Sequence, residues 1–295
     1  MAWAWRQAPA AILPPEASIL STQKPSPPSA AGSAPPPGRT GPVPDGIGRV
    51  GLALGGSVVG LALMAVVALQ FGAPLGVTPR PVSDDEAATT ARGVMAVFDN
   101  VQELWRDSFG AGYKAPAVSF TTGVSVSPCA GGTAATGPFY CPERLEAVFD
   151  LTFFGALNAR LRRNGDLGTA LVVAMVSAAA VQDQLGLLRE ARDAQTPEEA
   201  KAADIALAAQ ADCLAGVWAA HAQDRLGPVP AGFYDQLIGI ARSVMRDHAS
   251  LAPDMPARLD PFQAAPRKTR EADFERGYKA SDPAACLPPG RSSLG

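Results

Sequence analysis

The side chains with the most chemical scope in this 295-residue chain are four cysteines and two histidines. The cysteines are Cys129, Cys141, Cys213 and Cys286. Cysteine can ligate a metal, act as a nucleophile or pair as a disulfide. A four-cysteine zinc site usually draws its ligands as CxxC-type pairs, and that spacing is absent. In an oxidising compartment an even count favours two disulfides, with free buried thiols as the remaining option. Cys129 and Cys141 flank a Gly-rich loop, CAGGTAATGPFYC, able to close as a hairpin. A ring of that size is worth on the order of 3 kcal/mol in the loop-entropy model. Cys213 and Cys286 would then tie a central helix to the C-terminal tail.

The histidines offer less. His221 lies nine residues beyond Asp212, so on one helix the two point in nearly opposite directions. His248 follows Arg246 and Asp247 near the end of a predicted helix, where a cation suits the macrodipole. Neither has a glutamate at HxxE or ExxH spacing. Ser177 sits in an apolar stretch with no His or Lys three or four residues away, which suits a small core residue better than a nucleophile. The glycines of the cysteine loop do not precede GK[ST], so they read as a tight loop rather than a phosphate cradle.

These residues sit in the last of three parts. Residues 1–49 hold 11 of the 28 prolines. No apolar face can repeat there, which predicts a disordered Pro-rich tail, with an SH3-type ligand as the alternative. Between Arg49 and Arg80 there is no charged residue. The apolar run from residue 50 to 71 is long enough to cross a bilayer, so a transmembrane helix is expected over 50–73. A signal peptide would have a shorter apolar stretch, and a soluble core helix would rarely carry Gly51, Gly55, Gly56 and Gly60. Arg6, Lys24, Arg39 and Arg49 precede the run, while Asp84, Asp85 and Glu86 follow Arg80. That bias keeps the tail cytoplasmic and places the remainder outside, periplasmic or extracellular, in a single-pass membrane protein. A net charge of −3 gives no basic face for a nucleic-acid partner. The oligomeric state is not encoded in any pattern.

The globular part opens with an amphipathic helix capped at Ser83 or Asp84, with Val94, Val97, Phe98, Val101, Leu104 and Trp105 on one face. Val118–Thr122 and Ala147–Leu151 read as short strands, and Asp166–Ala194 as one long buried helix. Thr196-Pro197-Glu198-Glu199 is a strong helix start, and that helix should run to about His221. A further amphipathic helix is expected over Phe233–His248. No internal repeat is present.

Three stretches resemble the neutral zinc metallopeptidases of bacteria. They are CAGGTAATGPFYCPERLEAVFDLTFF from Cys129 to Phe154, AQADCLAGVWAAHA from Ala209 to Ala222, and FERGYKASDPAAC from Phe274 to Cys286. Their order and spacing cover a domain of residues 84–288. The resemblance implies an α+β fold, mainly helical and zincin-like, with a helix pair beside a small sheet. It also implies HExxH on the helix after DLTFF, where two histidines four apart grip zinc and the Glu between them activates water.

Here that stretch reads Ala174-Met175-Val176-Ser177-Ala178-Ala179-Ala180-Val181-Gln182, with Gln182 and the downstream Leu185-Gly186 fixing the register. Met175 and Ala179 stand at the histidine positions and Val176 at the glutamate. The third ligand position, ahead of Ala-Asp-Cys, is Ala208. Asp212, Gln182 and Arg270 are retained, and Ala264–Arg270 replaces a His-Gly-Thr-Ser-x-x-Arg segment except for its last residue. The family's zinc ligands are therefore absent and no cofactor is expected. The resemblance then implies an inactive homologue, a pseudopeptidase that binds a peptide or protein in the former cleft. One alternative is an active zinc metallopeptidase using unorthodox ligands. Another is a structural anchor whose Pro-rich tail binds a cytoplasmic partner.

Overall fold

In the computed structural model the described residues are 82–291. The predicted Pro-rich tail over 1–49 and the predicted membrane helix over 50–73 lie outside them.

Helix α1 (Asp84–Phe109) begins where the Ser83 hydroxyl accepts the Glu86 N–H at 3.3 Å, and three acidic residues occupy its first turn. Both features satisfy the exposed positive end of a helix. Its buried stripe of Val94, Val97, Phe98, Val101 and Trp105 packs into the main core. The chain then forms β1 (Ala117–Thr121) and a small antiparallel pair, β2 (Ser125–Val126) with β3 (Ala134–Ala135). Strands β4 (Phe139–Cys141) and β5 (Glu146–Asp150) complete a three-stranded sheet of order β1-β5-β4. β5 runs parallel to β1, from Ala117↔Glu146 to Thr121↔Asp150, and antiparallel to β4.

Seven helices follow among the described residues. They are α2 (Leu151–Leu161), α3 (Gly165–Gln184), α4 (Leu187–Arg192), α5 (Pro197–His221), α6 (Gln223–Leu226), α7 (Phe233–Ala249) and α8 (Arg267–Ala280). The fold is α+β and mostly helical, as the resemblance implies. The two strands and the helices starting near 84, 197 and 233 fall within a residue or two of their expected places.

Two expectations need correction. The stretch Asp166–Ala194 is not one helix: it stops at Gln184, and α4 starts after Gly186, whose φ is +79°. That left-handed backbone comes at little cost to glycine and separates the two helices. Secondly, the strand expected over Ala147–Leu151 stops at Asp150, and residues 151–154 already belong to a helix. Asp150 ends β5 and accepts the Thr152 N–H at 2.9 Å, so the same residue caps α2 and the strand passes straight into the helix.

α3 is buried on nearly every side and forms the centre of the core. The helical stretch Leu151–Gln184 is long and apolar enough to cross a membrane, but 78% of its apolar window is buried inside the protein, and the 3-10 turn Arg162–Asn164 interrupts it. It therefore serves as core. α5 starts with a full capping box, Thr196 to the Glu199 N–H and Glu199 back to the Thr196 N–H.

α8 lies against α5 backbone to backbone. A Cβ on Gly277 would fall 1.8 Å from the Cys213 carbonyl oxygen, and one on Gly216 would fall 2.1 Å from that of Phe274. Only glycine permits this approach. Tyr234, from α7, stacks on Phe274 with ring centroids 4.2 Å apart. Both expected disulfides are formed, Cys129–Cys141 and Cys213–Cys286, with Cα separations of 5.4 and 5.6 Å. The second ties α5 to the turn that follows α8. The first differs from a simple hairpin closure. Cys129 lies in the loop of the β2–β3 pair while Cys141 ends β4, so the bond staples the hairpin to the sheet.

Candidate functional site

A cavity of about 490 Å³ opens between α3, α5, α4, the β4 edge and the segment 256–265. That is within the usual range for small-ligand sites. Met175, Val176, Ala179 and Gln182 of α3 reach it from one side, and Ala208 and Ala211 of α5 from the other. The four positions singled out by the motif register, Met175, Val176, Ala179 and Ala208, thus line one cavity from two facing helices. Met175, Val176 and Ala179 follow one another at i, i+1 and i+4, which puts the first and last on one face of α3. The Gln182 amide donates to the Leu207 carbonyl at 2.7 Å and holds α3 and α5 together beside the cavity.

Beneath Met175 lies a buried ion pair. Arg270 Nε donates to Asp212 Oδ2 and Arg270 Nη2 to Asp212 Oδ1, both at 2.7 Å, with both side chains fully buried. The Tyr234 hydroxyl donates to Asp212 Oδ1 at 2.6 Å, and Arg270 Nη1 donates to the Pro261 carbonyl at 2.9 Å. Arg270 Nη2 also lies 3.1 Å from Met175 Sδ. Burial alone would lower the Arg270 pKa, but the charge and hydrogen bonds of Asp212 outweigh it and raise it above the usual value. The guanidinium therefore stays charged. Burial, then Asp212, pushes the Tyr234 hydroxyl well up, so it remains a donor. Asp212 thus joins α5, α7 and α8 beneath the cavity. Tyr234 gave no sequence signal, because nothing in spacing predicts a contact made across a loop.

The rim is polar and built of ion pairs. Arg192 meets Glu143 at 3.1 Å, and Arg258 meets Asp204 at 3.3 Å while donating to the Ala191 carbonyl at 2.6 Å. Burial pushes Asp204 up against the pull of Arg258. It also pushes up Asp260, whose Oδ1 accepts the Phe262 N–H at 2.9 Å. Arg242 pins the neighbouring loop through the carbonyls of Phe262, Ala264 and Ala265. These rim residues escaped the sequence reading, since isolated charges on helices and loops carry no motif.

The chemistry of this donor set does not fit a zinc centre. Met175, Val176, Ala179 and Ala208 present a thioether and alkyl groups to the cavity, while structural and catalytic zinc sites use thiolate, imidazole and carboxylate. Among the described residues, the one cluster of three His, Cys, Asp or Glu ligand atoms is Cys129, Cys141 and Glu143, and its two sulfurs are joined as a disulfide.

The histidines stand apart from the cavity. His221, the last residue of α5, has Nε2 2.9 Å from the Ser281 carbonyl. His248 is buried in the last turn of α7, with Nδ1 3.4 Å from Thr136 Oγ1 and 3.7 Å from Asp150 Oδ2. Thr136 already donates to Asp150 at 2.9 Å. A proton relay needs hydroxyl and carboxylate on different ring nitrogens, and here both approach the same one. Burial lowers the His248 pKa, against the opposing pull of Asp150. Ser177 Oγ is buried, with no hydrogen-bond partner or base among the described residues.

The family described as "Putative neutral zinc metallopeptidase" matches residues 28–288 of the chain. YpfJ of Escherichia coli (strain K12), named only as uncharacterized, is 27% identical over 248 residues, covering 79% of this chain and 86% of its own. Two mycobacterial proteins, Mb2605 of Mycobacterium bovis and Rv2575 of Mycobacterium tuberculosis, are each 28% identical over 203 residues, covering 65% of this chain and 68% of their own. No solved structure matches significantly.

Proposed function

Starting from the premise that the chain belongs to the neutral zinc metallopeptidase family, we propose that it is a membrane-anchored, non-catalytic member that binds a peptide or protein without cutting it. The observation that carries this reading is the convergence of Met175, Val176, Ala179 and Ala208 on one cavity. Three alkyl side chains and one thioether, whose sulfur already faces the Arg270 guanidinium at 3.1 Å, do not make a zinc ligand set, and none of these positions has a base to take a proton from water. What the cavity offers instead is apolar surface bounded by charged pairs, which suits apolar side chains of an extended polypeptide.

Anchoring rests on the charge-free run from residue 50 to 71 and on the basic residues before it, which favour a cytoplasmic tail and an outer domain. The two disulfides agree with an oxidising compartment. Alkaline phosphatase inserted at residue 45 of the otherwise full-length chain, and fused at residue 290, tests the orientation; activity at the first and silence at the second would reverse it.

Catalysis is tested on the purified full-length chain, kept oxidised, with added zinc and a casein-type substrate. No cleavage above a metal-free control is expected. Cleavage abolished by a chelator would overturn the reading and favour unorthodox ligands.

A further inference from the structure

Outside the α3–α5 wall, one cluster has ligand chemistry that the proposed function does not use. The sulfurs of Cys129 and Cys141 and a carboxylate oxygen of Glu143 lie within 4.8 Å of one another. Glu143 Oε2 is 3.8 Å from Cys141 Sγ, while its other oxygen, Oε1, meets Arg192 at 3.1 Å. Cys129 is partly exposed and Cys141 is buried, so a thiol from solvent reaches the Cys129 sulfur first. The second disulfide is shielded, because Cys213 and Cys286 are both buried.

We propose that reduction of the Cys129–Cys141 disulfide creates a metal site, in which two thiolates and the Glu143 carboxylate hold one soft divalent cation, zinc or cadmium, at the cavity rim. A small dithiol supplies the electrons. Its thiolate attacks Cys129 Sγ and the S–S bond breaks, with Cys141 leaving and taking a proton. The second thiol then attacks the mixed disulfide and expels Cys129. Two electrons and two protons have passed to the protein, and the reductant departs as a cyclic disulfide. Binding the cation displaces the two thiol protons.

Distances and charge both suit the ion. Tetrahedral zinc with sulfur and oxygen ligands needs ligand atoms roughly 3.5–3.8 Å apart. A Cα separation of 5.4 Å allows the freed sulfurs to part that far by side-chain rotation. Two thiolates and one carboxylate carry three negative charges, the cation carries two positive, and the Arg192 guanidinium supplies the third. Solvent takes the fourth position. Thiolates select soft ions over magnesium or calcium.

The test reduces the full-length chain with dithiothreitol, removes the reductant by anaerobic gel filtration and titrates cadmium alone. A cadmium–thiolate charge-transfer band in the ultraviolet should appear at one equivalent per reduced chain, and not in the oxidised chain. Alkylation and mass mapping should label Cys129 and Cys141 while leaving Cys213 and Cys286 protected. Glu143→Gln, at an exposed position tolerant of change, should weaken cadmium at least tenfold. Absence of the band after reduction, an equal band in the oxidised chain, or indifference to Glu143→Gln would each overturn the site. Zinc bound by the oxidised chain would bear on the α3–α5 cavity instead, so the two readings fail separately.

Discussion

Replacing Arg270 by methionine removes the cation from beneath the cavity and leaves Asp212 buried. Arg270 makes two charge-assisted bonds to Asp212 and one to the Pro261 carbonyl, all with the pair inaccessible to water. Each charged hydrogen bond is worth about 1.5–3 kcal/mol, but forming the pair already cost both ions their hydration. Breaking one side of such a pair costs about 3–5 kcal/mol, because the survivor stays buried with its charge uncompensated. For a domain of this size that corresponds to a fall in Tm of about 6–20 °C. The second variant, Asp212→Asn in the Arg270→Met background, removes the stranded charge while keeping an acceptor for the Tyr234 hydroxyl. It should recover about half of the loss.

The pH dependence has a definite sign. Burial pushes Asp212 up, and loss of Arg270 removes the largest opposing pull. A carboxyl whose folded pKa exceeds its unfolded value of about 3.9 keeps its contribution below that value and loses it as pH rises through the folded pKa. The Arg270→Met deficit should therefore be larger at neutral pH than in mild acid. Urea unfolding at two pH values, for wild type, both single variants and the double, measures all terms. A deficit under about 1 kcal/mol, or a double variant no more stable than Arg270→Met, would refute the reading of this pair as a coupled charge unit.

Gly277→Ala places a Cβ 1.8 Å from the Cys213 carbonyl oxygen, so α8 and α5 must part; denaturant unfolding should show a loss of about 3 kcal/mol. His248 has its pKa lowered by burial, so stability should be full above about pH 6.5 and decline as pH falls toward its folded pKa. His248→Gln should flatten that slope in pH-dependent melts. Met175→His, Val176→Glu, Ala179→His and Ala208→Glu together should give the oxidised chain one zinc, seen by metal analysis, with stabilisation of about 4 kcal/mol at a thousandfold excess over Kd.

The sequence carried different parts of this molecule with unequal clarity. Helix starts were legible because caps act locally: Ser83 and the Thr196–Glu199 box fix α1 and α5 from within four residues. The break at Leu185–Gly186 was obscured, since an apolar run continues across it and one left-handed glycine ends the helix. Asp150 shows the limit more sharply. It closes β5, caps α2 and accepts the Gly123 and Gly137 N–H groups, a set of roles that no short window contains. At the cavity, Met175, Ala179 and Ala208 were found through a motif register. Asp204, Arg258 and Asp260 were not, because their meeting depends on how α5 and the 256–265 segment pack. Likewise, the retained Asp212 and Arg270 were visible as residues, but their direct pairing across 58 positions was not.

The glycine crossing of α8 on α5 has a consequence for how the chain is made. Gly216 and Gly277 meet across about sixty residues, and the bond from Cys213 to Cys286 spans 73 positions. While the nascent chain emerges from its N-terminus, the long alanine-rich α5 has no partner for this face until residues 267–286 arrive. Nascent chains should therefore keep Cys213 open to alkylation until residue 286 has emerged, and a chain truncated before Cys286 would leave Cys213 without its partner.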